Sequence, residues 1–322
     1  MAGTAQQDVD VDSQTFPPAR RTGRLLVPLT LLAVILLGLC ACAAREGQIA
    51  DSPGGSSGQR AIQNKGSDTL VNVALGWAEA YRVVDPTVSI AVTGGGSGTG
   101  IASLINGTVD IANVSRAMSQ GEIENANANG INPVEFVVAI DALALIVHPD
   151  NPVEQLTIPQ LASIYTGRIT NWNQVGGNDA AIILLSRESN SGTHVYFLEE
   201  VVRGGDPESD DIFAPQTLFM PSSVGITSEV RRNPNAIGYD GLGYVDEAHE
   251  KVLAIARDED AAYWKPSVKT ASDGSYPIAR PLYMYTAGEP TGVIQEYLDW
   301  IRSPAGQEIV ADLGFVPIPE AQ

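Results

Sequence analysis

Three short segments of this 322-residue chain concentrate glycine with serine or threonine: Gly66-Ser67-Asp68-Thr69, Gly94-Gly95-Gly96-Ser97-Gly98-Thr99-Gly100 and Ser189-Asn190-Ser191-Gly192-Thr193. Each precedes a stretch with helical periodicity, so each is a small-residue turn feeding a helix N-terminus. The first turn of a helix has N–H groups without internal partners and the positive end of the macrodipole, which together attract a compact anion. Glycine lets the backbone come close, and hydroxyls add donors. Any one such turn also reads as an ordinary strand-to-helix connection with a Ser/Thr N-cap. Three in one chain, with Arg116 just after Ser115 and Arg187 four residues before Ser191, favour anion binding. A guanidinium offers a planar fork of donors suited to a tetrahedral oxyanion. Arg187 follows the apolar run 182–185, which puts it at a strand's C-terminal end, where open α/β sheets hold ligands.

Near-misses to other motifs narrow the chemistry. Gly95 and Gly100 have the P-loop spacing, but Ile101 stands where that motif needs lysine, which argues against NTP hydrolysis. The dinucleotide fingerprint fails because Thr99 or Ile101 occupies its last glycine slot. The second turn is not a Gly-x-Ser-x-Gly elbow, since Ser97 has Thr99 two residues after it.

Around these turns strand-like and helix-like runs alternate, the pattern of an α/β protein with mostly parallel sheets. Leu70, Ala74, Trp77, Ala78 and Tyr81 recur at helical spacing, and residues 88–92 form a β-branched run. Ser119-x-x-Glu122 and Thr157-x-x-Gln160 are capping-box patterns. Residues 134–147 are apolar apart from Glu135 at the outset and a single interior charge, Asp141. That run is long for one strand and is expected to leave one sheet and enter a second, with the crossover near 140–146. A strand is expected at 181–185 and a helix at 195–202. Ile294, Leu298 and Ile301 mark another helix face, with a last helix around 309–313.

Composition sets the outer bounds. Nineteen Lys and Arg against 38 Asp and Glu leave a net charge of −19, which repels nucleic acid. The two cysteines, Cys40 and Cys42, sit in one apolar run near the N-terminus, so the folded part has no thiol for a disulfide, a zinc site or a nucleophile. His148, His194 and His249 are dispersed without ligand spacing, and no metal or other cofactor is expected. His194, a lone histidine at a helix start, is expected at the surface.

Arg20, Arg21 and Arg24 precede the apolar residues 25–39, the layout of a secretory signal. Leu39-Cys40-Ala41-Cys42 resembles a bacterial lipobox, and Cys42, preceded by the small Ala41, is the expected lipid site. A plain transmembrane anchor over 25–44 is the alternative. Either places the domain outside the cytoplasm, tethered to the membrane. Residues 1–44 are thus read as signal and tether, and the Gly/Ser-rich 45–60 as a flexible linker.

Over residues 64–317 the chain resembles the PstS-like periplasmic phosphate-binding proteins that serve ABC importers. The resemblance rests on the three turns, on Asp110-Ile111-Ala112-Asn113-Val114-Ser115-Arg116, on Arg187-Glu188, on Ile237-Gly238-Tyr239 and on Gly314-Phe315-Val316-Pro317. It implies an α/β, two-lobed type II binding-protein fold with a ligand cleft between the lobes. Lobe 1 is expected over 61–141 and 246–322, and lobe 2 over 142–245. It also implies phosphate contacts from Thr69 with Ser67 as helper, from Ser97, from Ser115 and Arg116, and from Arg187, Ser191, Gly192 and Thr193. Some members carry an aspartate where this chain has Arg116, and that aspartate accepts the proton of hydrogen phosphate.

A carboxylate is acceptor-only, so it takes a hydrogen bond from phosphate and repels sulfate. Asp141 is the first candidate for that role, the alternative being a buried carboxylate held by a structural arginine or by backbone N–H groups. Asp68 is the second, the alternative being a helix N-cap. The expected function is a lipid-anchored, monomeric, non-enzymatic receptor that delivers inorganic phosphate to ABC permease subunits. Competing readings are a binding protein for sulfate, molybdate or a phosphonate, and a secreted phosphatase or hydrolase using Ser97 or Ser191.

Overall fold

The computed structural model describes residues 60–319. Cys42, the signal and tether, and the linker up to residue 59 lie outside the described residues. Eleven strands are described: β1 Arg60–Gly66, β2 Val88–Thr93, β3 Ile111–Val114, β4 Val134–Val147, β5 Gln155–Thr157, β6 Ile183–Arg187, β7 Leu218–Met220, β8 Ala236–Gly241, β9 Lys251–Val252, β10 Ala254–Ala256 and β11 Ala279–Thr286. The main sheet runs β2-β1-β3-β11-β4-β8-β6-β7, with β9 on β4, and β10 pairs with β5 separately.

Strand β4 is the element both halves of the sheet share. Up to Ala142 it pairs antiparallel with β11; from Leu143 it pairs with β8, and at Ile146 and Val147 with β9 as well. The change of partner falls inside the interval where the sequence expects a crossover, and the strand covers the whole apolar run. Both faces of its second half are covered, which is why alternation disappears there.

Helices flank this sheet as their apolar spacing dictates. On helix Val71–Val84, Ala74, Trp77, Ala78 and Tyr81 are buried, and Trp77 Nε1 donates to the Gly306 carbonyl at 2.7 Å, tying it to helix Pro304–Asp312. Ile294 packs against this core while Leu298 and Ile301 are buried on helix Val293–Ile301. Both expected capping boxes form, Ser119 with Glu122 and Thr157 with Gln160.

Three boundaries differ from expectation. Strand β6 starts at Ile183 rather than 181, because Ala181 bridges Asn171 and the Ile182 N–H is taken by Thr170 O, so Arg187 becomes the strand's last residue. The helix after the third turn starts at Gly192 and runs to Phe197, then widens into a π-helical turn over Leu198–Val202. The chain from 251 to 278 packs with the second half of the molecule: β9 pairs with the end of β4, and Leu253, Ile255, Ala271, Tyr276 and Ile278 share a core with Trp172 and Tyr165. No helix among the described residues is long and apolar enough to cross a membrane.

Candidate functional site

The three turns meet. Strand β1 delivers the first to a short 3-10 turn, Asp68–Leu70; strand β2 delivers the second to helix Ser97–Ile105; strand β6 delivers the third to helix Gly192–Phe197. The hydroxyls of Thr69 and Thr193 lie 2.9 Å apart, 124 residues distant in sequence. Ser97 Oγ accepts from the Ser115 N–H at 3.0 Å and lies 3.2 Å from Ser115 Oγ. Across the gap, Gly98 N–H donates to Asn190 O at 3.0 Å, and Asn190 Nδ2 donates to Gly95 O at 2.9 Å.

Two glycines permit this approach. A Cβ on Gly192 would stand 2.4 Å from Ser97 Oγ and 2.6 Å from Ser115 Oγ. Gly96, at φ +87°, would drive a Cβ to 2.7 Å from Asn190 O, so both sterics and backbone conformation exclude a side chain there.

Two arginines anchor the junction. Arg187, 1% exposed, donates from Nη2 to Asp68 Oδ2 at 2.7 Å and to Pro221 O at 3.2 Å, and from Nη1 to Ser223 Oγ at 3.1 Å; its buried Nε has no partner among the described residues. Asp68 also accepts the Gly95 N–H at 3.0 Å, and Tyr244 OH donates to its carbonyl at 2.6 Å. Arg280, on β11, donates from Nη2 to Thr193 Oγ1 at 2.8 Å and to Asp141 Oδ2 at 3.1 Å. Burial pushes the Asp141 carboxyl above its ordinary value, with Arg280 pulling the other way. Asp141 is therefore a buried carboxylate held by an arginine, and its contact with the turns runs through that arginine. Asp68 is not the N-cap of its turn; Ser67 occupies that position without a side-chain capping bond.

Ser67, Thr69, Ser97, Ser115, Ser191 and Thr193 are all buried around this junction, and Ser191 caps its helix by accepting the Thr193 N–H at 3.2 Å. Arg116 is directed elsewhere: both its terminal nitrogens donate to the two Glu122 oxygens at 2.7 Å, and Nη1 also to Ala117 O. It and Arg280 line a cavity of about 540 Å³ with Tyr196 and Glu199. His194 corrects the surface expectation. It is 8% exposed, its Nδ1 sits 3.2 Å from Ser186 Oγ, its ring packs on Phe213, and burial lowers its pKa, which favours the neutral ring.

Sequence reasoning missed Arg280, Ser223 and Asp240, and took Asn190 only as a member of the third turn, without its bonds to the second. The signal for two of them was the one that singled out Asp141, a charge inside an otherwise apolar strand: Arg280 in β11 and Asp240 in the fully buried β8. No group of acidic, histidine or cysteine side chains able to hold a metal occurs among the described residues.

The chain matches the PBP superfamily domain over residues 51–305. It is 32% identical to the phosphate-binding protein PstS of Pseudomonas aeruginosa over 313 residues, covering 92% of this chain and 95% of that one. Identity to the phosphate-binding protein PstS of Bacillus subtilis is 31% over 300 residues, covering 92% and 94%. Among solved structures, a putative phosphate ABC transporter substrate-binding protein with bound phosphate from Clostridium perfringens superposes with a TM-score of 0.71 at 32% identity, covering 81% of this chain and all of that one. An ABC-type phosphate transport receptor from Vibrio cholerae gives 0.64 at 30%, covering 80% and 100%. The two-lobed α/β architecture is accordingly the type II binding-protein fold, and the chain belongs to the PBP superfamily and, within it, to the family of the PstS proteins.

Proposed function

We propose that the chain captures inorganic phosphate outside the cytoplasm, held to the membrane by a lipid on Cys42, and passes it to the permease of an ABC importer. The observation that carries this reading is the Arg187–Asp68 pair at the meeting of the three turns, where a buried fork of donors and a carboxylate acceptor stand together. Donors alone serve any oxyanion; an adjoining acceptor selects one that still bears a proton. Names of relatives at 31–32% identity over nine-tenths of the chain point the same way.

In this reading Arg187, Thr69, Ser97, Ser115, Ser191, Gly192 and Thr193 donate to the phosphate oxygens, Ser67 supports the first turn, and Asp68 accepts the phosphate proton. Asp141 acts through Arg280, and Arg116 braces the Ser115 turn against Glu122. The first lobe is residues 61–141 with the returning C-terminal segment, and the second runs from 142 up to that return. Core packing favours a return near residue 279 rather than 246. The protein works as a monomer and performs no chemistry on its ligand.

Calorimetry on ligand-stripped protein tests this: phosphate gives a saturable heat that equimolar sulfate leaves unchanged. A silent phosphate titration overturns the reading. Saturation by sulfate or molybdate instead makes the chain a receptor for another oxyanion, and steady turnover of a chromogenic phosphate ester, lost in Ser97→Ala, makes it a hydrolase. Release of the Cys42→Ala variant from the membrane fraction tests the tether.

A further inference from the structure

Behind the Arg187–Asp68 pair lies a second carboxylate that faces no turn. Asp240, fully buried on β8, accepts from Ser223 Oγ at 2.8 Å and from the Gly241 N–H at 2.8 Å, both at Oδ1. Ser223 in turn accepts from Arg187 Nη1 at 3.1 Å. A continuous file thus runs Asp68, Arg187, Ser223, Asp240. The other carboxylate oxygen of Asp240, Oδ2, is buried and accepts nothing among the described residues.

The groups that face Asp240 come from four directions. Strand β6 presents Arg187, strand β4 presents Asp141, helix Ser223–Arg232 presents the Ser223 hydroxyl, and the turn after β8 presents Tyr244. Asp141 carries its own cation, Arg280, and Arg187 carries Asp68. The connected set therefore holds three carboxylates, the half-buried Asp68 and the buried Asp141 and Asp240, against two buried guanidiniums, Arg187 and Arg280. It is one negative charge in excess before any anion arrives.

We propose that Asp240 is a positioning residue for Arg187, acting through Ser223, and that it takes up a proton when phosphate enters, so that anion capture is accompanied by neutralisation of a carboxylate the ligand never touches. The inference rests on the phosphate reading above. An incoming anion at Arg187 withdraws much of the one cation that compensates Asp240, and a buried carboxylate without compensation protonates rather than remain charged. The unused Oδ2 is free to carry the proton, while Oδ1 keeps both its donors, so protonation leaves the file to Arg187 intact. Burial already raises the Asp240 carboxyl to about 6, close to the range where a modest push completes the change.

The two roles separate by substitution. Asp240→Asn keeps an acceptor for Ser223 and cannot take a proton; Asp240→Ala and Ser223→Ala break the file. Phosphate titrations at pH 6.5 in two buffers of different ionisation enthalpy count the protons bound. The ionisation of phosphate itself contributes equally to every variant. The wild type takes up more protons per phosphate than Asp240→Asn, by a substantial fraction of one. Ser223→Ala binds on the order of tenfold more weakly, and Asp240→Asn recovers most of the affinity that Asp240→Ala loses. Equal proton counts in wild type and Asp240→Asn overturn the proton uptake. Undiminished affinity in Ser223→Ala overturns the positioning role, and that variant serves even where Asp240→Ala fails to fold. A wild type that shows no phosphate heat falls on the ligand assignment instead. Asp240 is then tested without ligand by the infrared band of a protonated buried carboxyl at pH 5, expected in the wild type and missing from Asp240→Asn; a band of equal strength in both overturns its protonation.

Discussion

Arg187 and Asp68, 119 residues apart in sequence, join at 2.7 Å where the turns after β6 and β1, strands on either side of β4 in the sheet, come together. The arginine is nearly inaccessible while the aspartate keeps part of its surface open, so the pair presents its acceptor outward and its donor from within. Under the proposed function, a phosphate entering between the turns is expected to meet both at once.

Replacing Arg187 by alanine removes the fork and leaves Asp68 without its cation. Charged hydrogen bonds contribute roughly 1.5–3 kcal/mol each, so affinity for phosphate is expected to fall at least ~10-fold, read by calorimetry. Arg187→Lys keeps the charge but loses the planar geometry and recovers only part. Unchanged binding in Arg187→Ala would place the anion elsewhere.

Asp68→Asn turns an acceptor-only group into one that also donates. The expectation is a narrowed preference for phosphate over sulfate, measured as the ratio of the two dissociation constants. If the ratio holds in Asp68→Asn and narrows in Asp141→Asn, discrimination belongs to Asp141.

Asp141→Ala strands the Arg280 guanidinium, which is 2% exposed, without its carboxylate. Breaking a buried pair by removing one partner costs about 3–5 kcal/mol, so this variant should melt well below the wild type in a thermal scan. A melting temperature within a degree or two of wild type would show that Arg280 finds another partner.

Gly192→Ala adds one carbon where Ser97 Oγ and Ser115 Oγ stand 2.4 and 2.6 Å away. The third turn has to back off, separating Thr193 from Thr69. Circular dichroism should show a folded chain, and titration a large loss of phosphate affinity; wild-type affinity would mean that the serines yield without cost.

Asp240 also sets a pH dependence of stability. Its carboxyl is raised from 3.8 to about 6 by burial, so the folded chain binds the proton more tightly than the unfolded one. Stability from this group is fully present below the unfolded value and is lost as pH rises through about 6. The sign is opposite to that of a paired surface carboxylate. Asp240→Asn should flatten the profile between about pH 4 and 6 in urea unfolding, by at most about 3 kcal/mol. An unaltered slope would place the titration on another group.

Much of this site was legible because its parts are local. Each turn announces itself in four to seven consecutive residues, and the capping boxes at Ser119 and Thr157 need only the residue three places on. The crossover in β4 was legible for a related reason: a run buried on both faces loses its alternation, and its length exceeds what one sheet uses. What escaped was pairing. Nothing near Arg116 in sequence says that it prefers Glu122 to an anion, and nothing near Asp141 names Arg280, 139 residues away, as its partner. His194 was misplaced because its cover, Phe213 and Phe219, arrives from a loop and a short strand well downstream. The segment 251–278 followed the same logic, since its strands are too short to advertise which half of the sheet they join.

Because one uninterrupted strand, β4, is stitched to β11 along its first part and to β8 along its second, neither half owns a complete edge without it. Denaturing one side unravels a rail that the other still needs. Melting should accordingly proceed in a single cooperative step, and opening of the bonds that join the facing turns should leave this shared ribbon paired on both sides.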